Sequence, residues 1–250
     1  MNKHLRHLNR IEFVVTMACT GNCKHCSQGE HRSTDKLDKT LSADAVRKIA
    51  NEYNIESVMT FGGEPLLCAD TVFAIHKAAA DMGIPHRQLI TNGYFSKDIA
   101  KIRAVAQSLS ECGVNDILLS VDAFHQETIP LKIVKAFAKT VSETGTKIRV
   151  QPAWLVSKTH DNPYNNRTRE ILAEFNNMGI ATNEGNIIFP MGNALKYLGD
   201  YLRPQAENEN PYWEDPADVK AICFSANGDI LGSNIYKKNI MDILTEYKPK

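Results

Sequence analysis

The chain is predicted to be an α/β protein built on a parallel sheet. Short β-branched, apolar runs alternate with helix-length segments in about six successive units, and this alternation is typical of parallel sheets. Glycine follows several of the proposed helices, at the position where a left-handed cap needs a residue without a side chain. The glycines are Gly83, Gly113, Gly145 and Gly179.

The predicted strands share β-branched composition, and the predicted helices share apolar residues at helical spacing. The strands are residues 11–16, 57–61, 87–91, 116–121, 147–156 and 181–189. The helices are residues 42–54, 69–82, 96–112, 130–143 and 167–178, with Ser42 expected to cap the first. Six strands suit either an open barrel or a doubly wound sheet, and periodicity does not separate the two.

The C-terminal part of the chain breaks this rhythm. Residues 203–216 are rich in Pro, Asn and Glu and are predicted to form a surface loop. Asn227-Gly228 favours a type I′ turn, so residues 221–225 and 229–233 are predicted to pair as a short hairpin.

A last helix is expected over residues 239–247, packed back on the sheet. We predict a main unit over residues 1–200 and a C-terminal extension over residues 201–250 within the same domain. The length is ample for one large core.

Composition narrows the class of partner. The chain is 43% hydrophobic and 23% charged with a formal net charge of +0, so charge favours neither nucleic acid nor an anionic membrane. No apolar run approaches the ~18 residues needed to span a bilayer. Residues 1–10 lack the apolar core of a signal peptide. We therefore expect a cytoplasmic protein that binds neither nucleic acid nor membrane.

Three of the six cysteines follow the first predicted strand closely. Cys19, Cys23 and Cys26 form a C-x3-C-x2-C pattern, and parallel α/β folds build their sites at that end of the strands. A reducing cytoplasm argues against disulfides, and soft sulfur ligands select zinc or an iron–sulfur cluster. A closed zinc site needs a fourth ligand, which His25 or His31 would supply. The loop alone favours the cluster and leaves zinc open.

Glycine-rich or polar motifs follow the next three predicted strands. They are Gly62-Gly63-Glu64-Pro65, Thr91-Asn92-Gly93 and Ser120-Val121-Asp122. Paired glycines let a backbone approach a ligand closely, and small polar side chains at one edge suit hydroxyls and a carboxylate. Each motif alone is more often a turn or a cap, so the inference depends on their combination.

Together, the cysteine loop and the strand-end motifs resemble the radical S-adenosylmethionine superfamily, over roughly residues 11–122. The resemblance implies a partial (β/α)6 TIM-like barrel with a short C-terminal hairpin and helix. It also implies one 4Fe–4S cluster on Cys19, Cys23 and Cys26, with S-adenosylmethionine on the fourth iron.

The resemblance places a larger set of residues against S-adenosylmethionine. The set is His25 beside the adenine, Gly62, Gly63 and Glu64 at the methionine amino group, Ser120 and Asp122 at the carboxylate or ribose hydroxyls, and Thr91 and Asn92 on the same face.

The same resemblance implies an activity. One electron from a flavodoxin or ferredoxin would cleave S-adenosylmethionine, and the 5′-deoxyadenosyl radical would take hydrogen from a peptide or small-metabolite substrate. Peptide modification, such as epimerisation or crosslinking, is the leading hypothesis. Because only about ten residues precede the first strand, we expect no N-terminal peptide-recognition domain. The alternatives are an activase for glycyl-radical enzymes and a non-catalytic iron–sulfur or zinc protein.

Some residues are candidates for contact with the substrate. His125 follows the fourth strand, where it either meets the substrate or enters a helix ahead of Pro130. Gln151 and Glu184 would suit a cavity if they point inward, whereas Trp154 is more often a core residue.

Cys223 resembles the cysteine that opens the C-terminal extension of peptide-modifying members. The second cysteine of that pair would fall near Ser233, so we expect no complete auxiliary cluster. Cys223 is interpreted as a buried relic of the hairpin or, alternatively, as a hydrogen-atom donor to a substrate radical. Cys68 and Cys112 are predicted to be small apolar fillers on helices.

Overall fold

One parallel sheet forms the centre of the molecule. The computed structural model describes residues 2–29, 33–202 and 214–249. The strands in this part of the chain are β1 (Arg10–Val14), β2 (Ser57–Phe61), β3 (His86–Thr91), β4 (Asp116–Ser120), β5 (Lys147–Gln151), β6 (Ala153–Trp154), β7 (Ala181–Thr182), β8 (Asn186–Ile187), β9 (Ala221–Phe224), β10 (Asp229–Ile230) and β11 (Ser233–Asn234). The main sheet has seven strands in the order β7-β5-β4-β3-β2-β1-β9, and all its pairings are parallel.

Helices connect these strands in turn. They are α1 (Lys39–Glu52), α2 (Ala69–Asp81), α3 (Ile99–Glu111), α4 (Ala123–Gln126), α5 (Leu131–Glu143), α6 (Pro163–Asn176), α7 (Asn193–Leu202) and α8 (Ile240–Glu246). Strand order follows chain order from β1 to β5, so right-handed crossovers put the connecting helices on one side of the sheet. A doubly wound sheet reverses its order at a switch point. The fold is therefore the partial barrel.

Alternate residues of β1 are buried, whereas β4 is buried at four consecutive positions. On β1, Ile11 and Phe13 are fully buried while their neighbours are half-buried. Phe13 stacks on Phe224 of β9, with the ring centroids 4.6 Å apart. Such a pair contributes ~0.5–1.5 kcal/mol beyond its buried area, so it helps to hold the C-terminal strand against the first one.

The start of α1 differs from the prediction. Asp38 is the N-cap, and its carboxylate accepts hydrogen bonds from the N–H groups of Thr40 and Leu41 at 2.9 and 2.8 Å. Ser42 lies inside the helix and donates its hydroxyl to the Asp38 carbonyl at 2.7 Å. Because Asp and Ser cap helices about equally well, residue type alone did not distinguish the two positions.

Two long predicted strands are each broken. Pro152 has no N–H for the ladder and separates β5 from β6. Gly185 separates β7 from β8 with a φ of 82°, and a Cβ there would lie 2.4 Å from the Pro152 carbonyl oxygen. β6 and β8 pair with each other in a small parallel sheet of their own.

The predicted C-terminal hairpin is wrong in its pairing. β9 pairs in parallel with β1, and the hairpin instead joins β10 to β11. Its tight turn is Leu231-Gly232, whose φ values of 49° and 73° are those a type I′ turn needs. Asn227-Gly228 still turns the chain between β9 and β10, because Gly228 donates to the Ser225 carbonyl at 2.8 Å.

Other predictions have mixed outcomes. The four glycines after predicted helices all have positive φ, and α8 begins after its N-cap Asn239. α6 begins at Pro163 rather than at residue 167, and α4 and α7 were not among the predicted helices. The surface loop predicted over residues 203–216 lies mostly outside the described residues, and the division into residues 1–200 and 201–250 stays a prediction. Among the described helices, none is both long and apolar enough to cross a bilayer.

Candidate active site at the carboxyl end of the sheet

The cysteine loop leaves the carboxyl end of β1 and is closed at its base. Thr16, just after β1, forms an isolated antiparallel bridge with Lys36, just before α1. Between these two residues, Cys23 is buried, and Cys19 and Cys26 are half-buried. The loop therefore holds its three thiols at the sheet edge where the sequence predicted a site.

Gly62 and Gly63 seat this loop against the end of β2. The N–H of Gly63 donates to the Thr16 carbonyl and that of Glu64 to the Ala18 carbonyl, both at 2.8 Å. A Cβ on Gly63 would lie 2.2 Å from the Ala18 carbonyl oxygen, and one on Gly62 would lie 2.4 Å from that of Thr16. Such an approach requires glycine. The paired glycines thus place the cysteines relative to β2.

The buried side chain of Glu64 joins the ends of β2 and β3. One carboxylate oxygen accepts the Thr91 hydroxyl at 2.7 Å and the Leu66 N–H at 3.0 Å, and the other accepts the Asn92 N–H at 2.8 Å. Burial raises the pKa of Glu64 to about 7, although these hydrogen bonds act in the opposite direction. Both oxygens are engaged by the protein, so the side chain of Glu64 organises the edge.

Asn92 reaches from the end of β3 to the cysteine loop. Its Nδ2 donates to the Thr20 hydroxyl at 3.2 Å and lies 3.8 Å from the Cys19 sulfur. Its Oδ1 accepts the Tyr94 N–H at 2.8 Å. The motif Thr91-Asn92-Gly93 therefore contacts the first cysteine directly.

The end of β4 carries a buried aspartate and a histidine in contact. Oδ2 of Asp122 lies 2.8 Å from Nδ1 of His125 and accepts the Ala153 N–H at 3.0 Å, while Oδ1 accepts the His125 N–H at 2.9 Å. Asp122 is also the N-cap of α4. Ser120, half-buried at the end of β4, pairs in register with Gln151 of β5. His125 lies within α4, as the helix interpretation predicted, and its contact with a substrate stays a prediction.

His25 lies beside this pair. Ligand atoms of His25, Asp122 and His125 all fall within 4.8 Å of one another. Burial lowers the pKa of His25 to about 4, and its buried Nδ1 has no hydrogen-bond partner in the described structure. Burial would raise the pKa of Asp122, but the charge and hydrogen bonds of His125 hold it well below its ordinary range. A neutral imidazole ring therefore lies next to the cysteine loop, where it suits a planar ligand.

The three thiols are not closed around a single ion. A tetrahedral zinc with Zn–S bonds near 2.3 Å needs sulfur atoms about 3.8 Å apart. Among the described residues, the metal-ligating group with all its atoms within 4.8 Å is the one around His25, and the three cysteines are not such a group. His31, a candidate fourth zinc ligand, lies outside the described residues.

Burial also affects the cysteines chemically. It raises the pKa of Cys19 to about 11 and raises the pKa values of Cys23 and Cys26 as well. Thiols in such surroundings ionise when a metal supplies positive charge. In the absence of such a charge, the three thiols keep their protons at neutral pH.

The residues predicted to face a cavity have different surroundings. Glu184 is 85% exposed and pairs with Lys158 at 2.7 Å, so it does not meet the condition of pointing inward. Trp154 is buried and donates to the Glu184 carbonyl at 2.8 Å, which agrees with the core interpretation. Gln151 is half-buried and donates to the Asn186 side chain at 3.2 Å.

Cys223 lies on β9 opposite Glu12 of β1. Its side chain is exposed, so the interpretation as a buried relic is wrong. Neighbouring Phe224 is buried under the helices, which puts Cys223 on the other, concave face of the sheet. Desolvation there and the nearby Glu12 raise the pKa of its thiol to about 12, so it keeps its proton. Cys112 is buried and Cys68 packs partly buried against the core, as predicted.

A segment far along the chain, Gly192-Asn193, packs against the cysteine loop, and the sequence did not predict this contact. The backbone N–H of Asn193 donates to the Cys26 carbonyl at 2.9 Å, and its side-chain Nδ2 donates to the Cys23 carbonyl at 3.2 Å. The preceding Gly192 lies against the same loop. A glycine followed by an asparagine is not a sequence motif that predicts such a contact, so the contact is visible only in the folded structure.

A partial barrel with a three-cysteine loop at its carboxyl edge defines a class of metal-binding proteins. The family model of the Radical SAM superfamily matches residues 13–147. The chain therefore belongs to the radical SAM superfamily.

Curated relatives resemble part of the chain. It is 28% identical to the GTP 3′,8-cyclase of Lactiplantibacillus plantarum over 117 residues, which are 46% of this chain and 33% of that protein. It is 29% identical to the probable GTP 3′,8-cyclase of Saccharolobus solfataricus over 150 residues, 58% of this chain and 45% of that one. The chain thus spans less than half the length of these two relatives.

Solved structures share the fold over nearly the whole chain. Streptococcus suis SuiB bound to S-adenosylmethionine has a TM-score of 0.64 at 15% identity and is matched over 98% of this chain and 67% of SuiB. The native anSMEcpe with bound AdoMet has a TM-score of 0.62 at 15% identity, with 96% and 81% covered. At this identity the likeness concerns the fold alone.

Proposed function

We propose that the protein holds one 4Fe–4S cluster on Cys19, Cys23 and Cys26 and cleaves S-adenosylmethionine at that cluster. The observation that carries the proposal is the three-cysteine loop, seated by Gly62 and Gly63 at the carboxyl edge of a radical SAM barrel. Bound there, cluster and S-adenosylmethionine supply a 5′-deoxyadenosyl radical that takes hydrogen from a substrate.

The donor set fits such a cluster. Three thiols from one loop would hold three irons of a four-iron cluster and leave the fourth iron without a protein ligand. The loop backbone is held by the N–H groups of Gly63 and Glu64, which donate to the carbonyls of Thr16 and Ala18. The chain therefore supplies ligands and a fixed scaffold, and it leaves a position for S-adenosylmethionine.

The surrounding strand ends would bind S-adenosylmethionine. We propose that the neutral ring of His25 packs against the adenine and that the backbone at Gly62 and Gly63 meets the methionine amino group. Ser120 and Asp122 would take the carboxylate or ribose hydroxyls. Glu64, Thr91 and Asn92 hold the strand ends in place, because their side chains bond to each other or to the cysteine loop.

A peptide is the favoured substrate, with epimerisation or crosslinking as the reaction class. Support comes from SuiB, whose complex with the precursor peptide SuiA shares this fold with a TM-score of 0.65 at 14% identity over 96% of this chain. The second candidate is a nucleotide-like small metabolite, which the matches to GTP 3′,8-cyclases favour.

Two residues are proposed to act on the substrate. His125 would contact it, and Cys223 would donate a hydrogen atom to the substrate radical. We place the reaction in the cytoplasm, with a flavodoxin or ferredoxin as electron donor.

Anaerobic reconstitution with iron and sulfide, followed by dithionite reduction, tests the proposal. The wild type is expected to bind four irons per chain and to release 5′-deoxyadenosine from S-adenosylmethionine. Cys23→Ala should lose both properties, whereas Cys112→Ala, at the C-terminal end of α3, should keep them. A fully loaded wild type that releases no 5′-deoxyadenosine would favour a non-catalytic cluster protein.

Deuterium transfer separates the two substrate classes. An extract of native host cells grown in deuterated medium is divided into a peptide fraction and a small-molecule fraction. Hydrogen abstraction moves substrate deuterium into 5′-deoxyadenosine, which mass spectrometry detects. Transfer from the peptide fraction is expected, and transfer from the small-molecule fraction alone would favour the metabolite.

A further inference from the structure

The turn between Cys23 and Cys26 is held from both sides of its backbone. Within the loop, the Cys26 N–H donates to the Cys23 carbonyl and the Gly29 N–H to the Cys26 carbonyl, both at 3.2 Å. Asn193 gives each of these carbonyls a second donor, at 3.2 Å from its side chain and 2.9 Å from its backbone. The backbone carbonyls of Cys23 and Cys26 therefore both accept a hydrogen bond from Asn193, the first residue of α7.

The contact is buried and closely packed. Asn193 is 4% exposed, so water cannot replace its hydrogen bonds without local opening. A Cβ on Gly192 would lie 2.5 Å from the Ser27 carbonyl oxygen, 2.7 Å from that of Cys26 and 2.8 Å from the Gly29 nitrogen. Glycine at this position lets the segment lie flat against the turn.

The other contacts of the loop act elsewhere. Gly63 and Asn92 hold the part around Cys19. Lys24 pairs with Glu127 at 3.0 Å with both side chains about a third or more exposed, and exposed pairs contribute little to stability. Among the described residues, Asn193 thus makes a buried polar contact with the Cys23–Cys26 turn from outside the loop.

We propose that Asn193 is a positioning residue for the cluster-binding turn. It fixes the direction of the Cys23 and Cys26 thiols and places two amide donors at the carbonyls beside them. Hydrogen bonding around a cluster also tunes its reduction potential. This role deepens the proposed function and rests on it for the cluster, but the ordering of the turn is a property of the chain itself.

The ordering is testable in the cluster-free protein. Iodoacetamide alkylation of each cysteine is followed by mass spectrometry in wild type, Asn193→Ala and Asn193→Asp. We expect Cys23 to be modified about five-fold faster in Asn193→Ala, the factor that corresponds to about 1 kcal/mol for one lost hydrogen bond. Cys112 serves as an internal reference. Asn239→Ala, which removes the N-cap of α8, is the matched control and should leave the Cys23 rate unchanged.

The effect of Asn193 on the reduction potential is tested in the protein that holds the cluster. Without the amide donor, the midpoint potential of the cluster should shift to more negative values, and further in Asn193→Asp because a carboxylate adds negative charge. Gly192→Ala, which keeps Asn193 but forces the segment away, should reproduce the faster alkylation if the asparagine variants fold poorly.

The outcomes are separable from those of the proposed function. Unchanged Cys23 protection in Asn193→Ala and Gly192→Ala would overturn the positioning role, and so would faster alkylation with an unshifted potential. If the wild type fails to cleave S-adenosylmethionine while Asn193 still protects Cys23 and shifts the potential, the proposed function fails and the positioning role stands.

Discussion

The Thr91 hydroxyl donates to the Glu64 carboxylate at 2.7 Å, and this bond joins the ends of two adjacent strands. Both residues are almost fully buried, Glu64 at 0% and Thr91 at 2% exposure. Glu64 also follows the glycine pair that seats the cysteine loop. The buried acid therefore lies where the cysteine loop meets the ends of β2 and β3.

Stability is expected to depend on the ionisation of Glu64. Burial raises its pKa from 4.5 to about 7 in the folded chain. Between these values the folded chain keeps a proton that the unfolded chain releases, so the free energy of unfolding falls as pH rises through this window. Denaturant unfolding from pH 4.5 to 8 measures the fall. Glu64→Gln should show a flatter pH profile. At low pH it should also lower the free energy of unfolding by about 1–3 kcal/mol, because its amide NH2 group would face backbone N–H donors and could not accept from them. Equal slopes would contradict the assignment.

Gly63→Ala should displace the cysteine loop. Its Cβ would lie 2.2 Å from the Ala18 carbonyl oxygen, where only backbone movement relieves the contact. We expect a loss of about 1–3 kcal/mol in unfolding free energy and reduced iron content after reconstitution. Gly199→Ala is the matched control, because nothing lies within 4 Å of its added Cβ and it is within α7. Normal iron binding by Gly63→Ala would show that the loop tolerates this movement.

Asp122→Asn should destabilise the site edge at neutral pH. The new amide group would place a donor against the Ala153 N–H or the His125 ring, and the substitution removes a negative charge. Together these changes should lower the free energy of unfolding by about 1–3 kcal/mol. Because the pKa of Asp122 is held below its ordinary 3.8, its contribution is present above that value and is lost as pH falls further. Chemical unfolding should therefore show the largest gap between variant and wild type near pH 7. A gap that stays constant down to pH 3 would show that Asp122 does not titrate as described.

Cys223→Ala tests the hydrogen-atom donor. The thiol is exposed on the concave face and stays protonated, so its S–H exchanges with solvent. In deuterated water, wild-type product should gain deuterium, and the variant should form less of that product while still releasing 5′-deoxyadenosine. Cys112→Ala, at a buried position near the end of α3, is the control. An unchanged yield of labelled product with Cys223→Ala would end this hypothesis.

The strand-end motifs illustrate how far sequence reasoning reached. Ser57–Phe61 was predicted with the observed bounds, because its β-branched run ends abruptly at the glycine pair. The Ser42 cap was wrong because Asp38, nearby, caps helices equally well. The hairpin pairing was wrong because turn chemistry at Asn227-Gly228 is local, whereas the partner of β9 is β1, more than two hundred residues away.

The sequence by itself determined the class of this protein: alternating strands and helices, and a cysteine loop followed by polar strand ends, are local patterns set by period and spacing. Only the tertiary structure decided that the strand order is that of an open barrel and not of a doubly wound sheet. It also decided that Cys223 is exposed and that Glu64 joins the ends of two strands. It also decided that Asn193 holds the turn of Cys23 and Cys26. The physical reason is that a hydrogen bond between residues so far apart in the chain depends on where the fold places both partners, and neither partner's neighbours in sequence encode it.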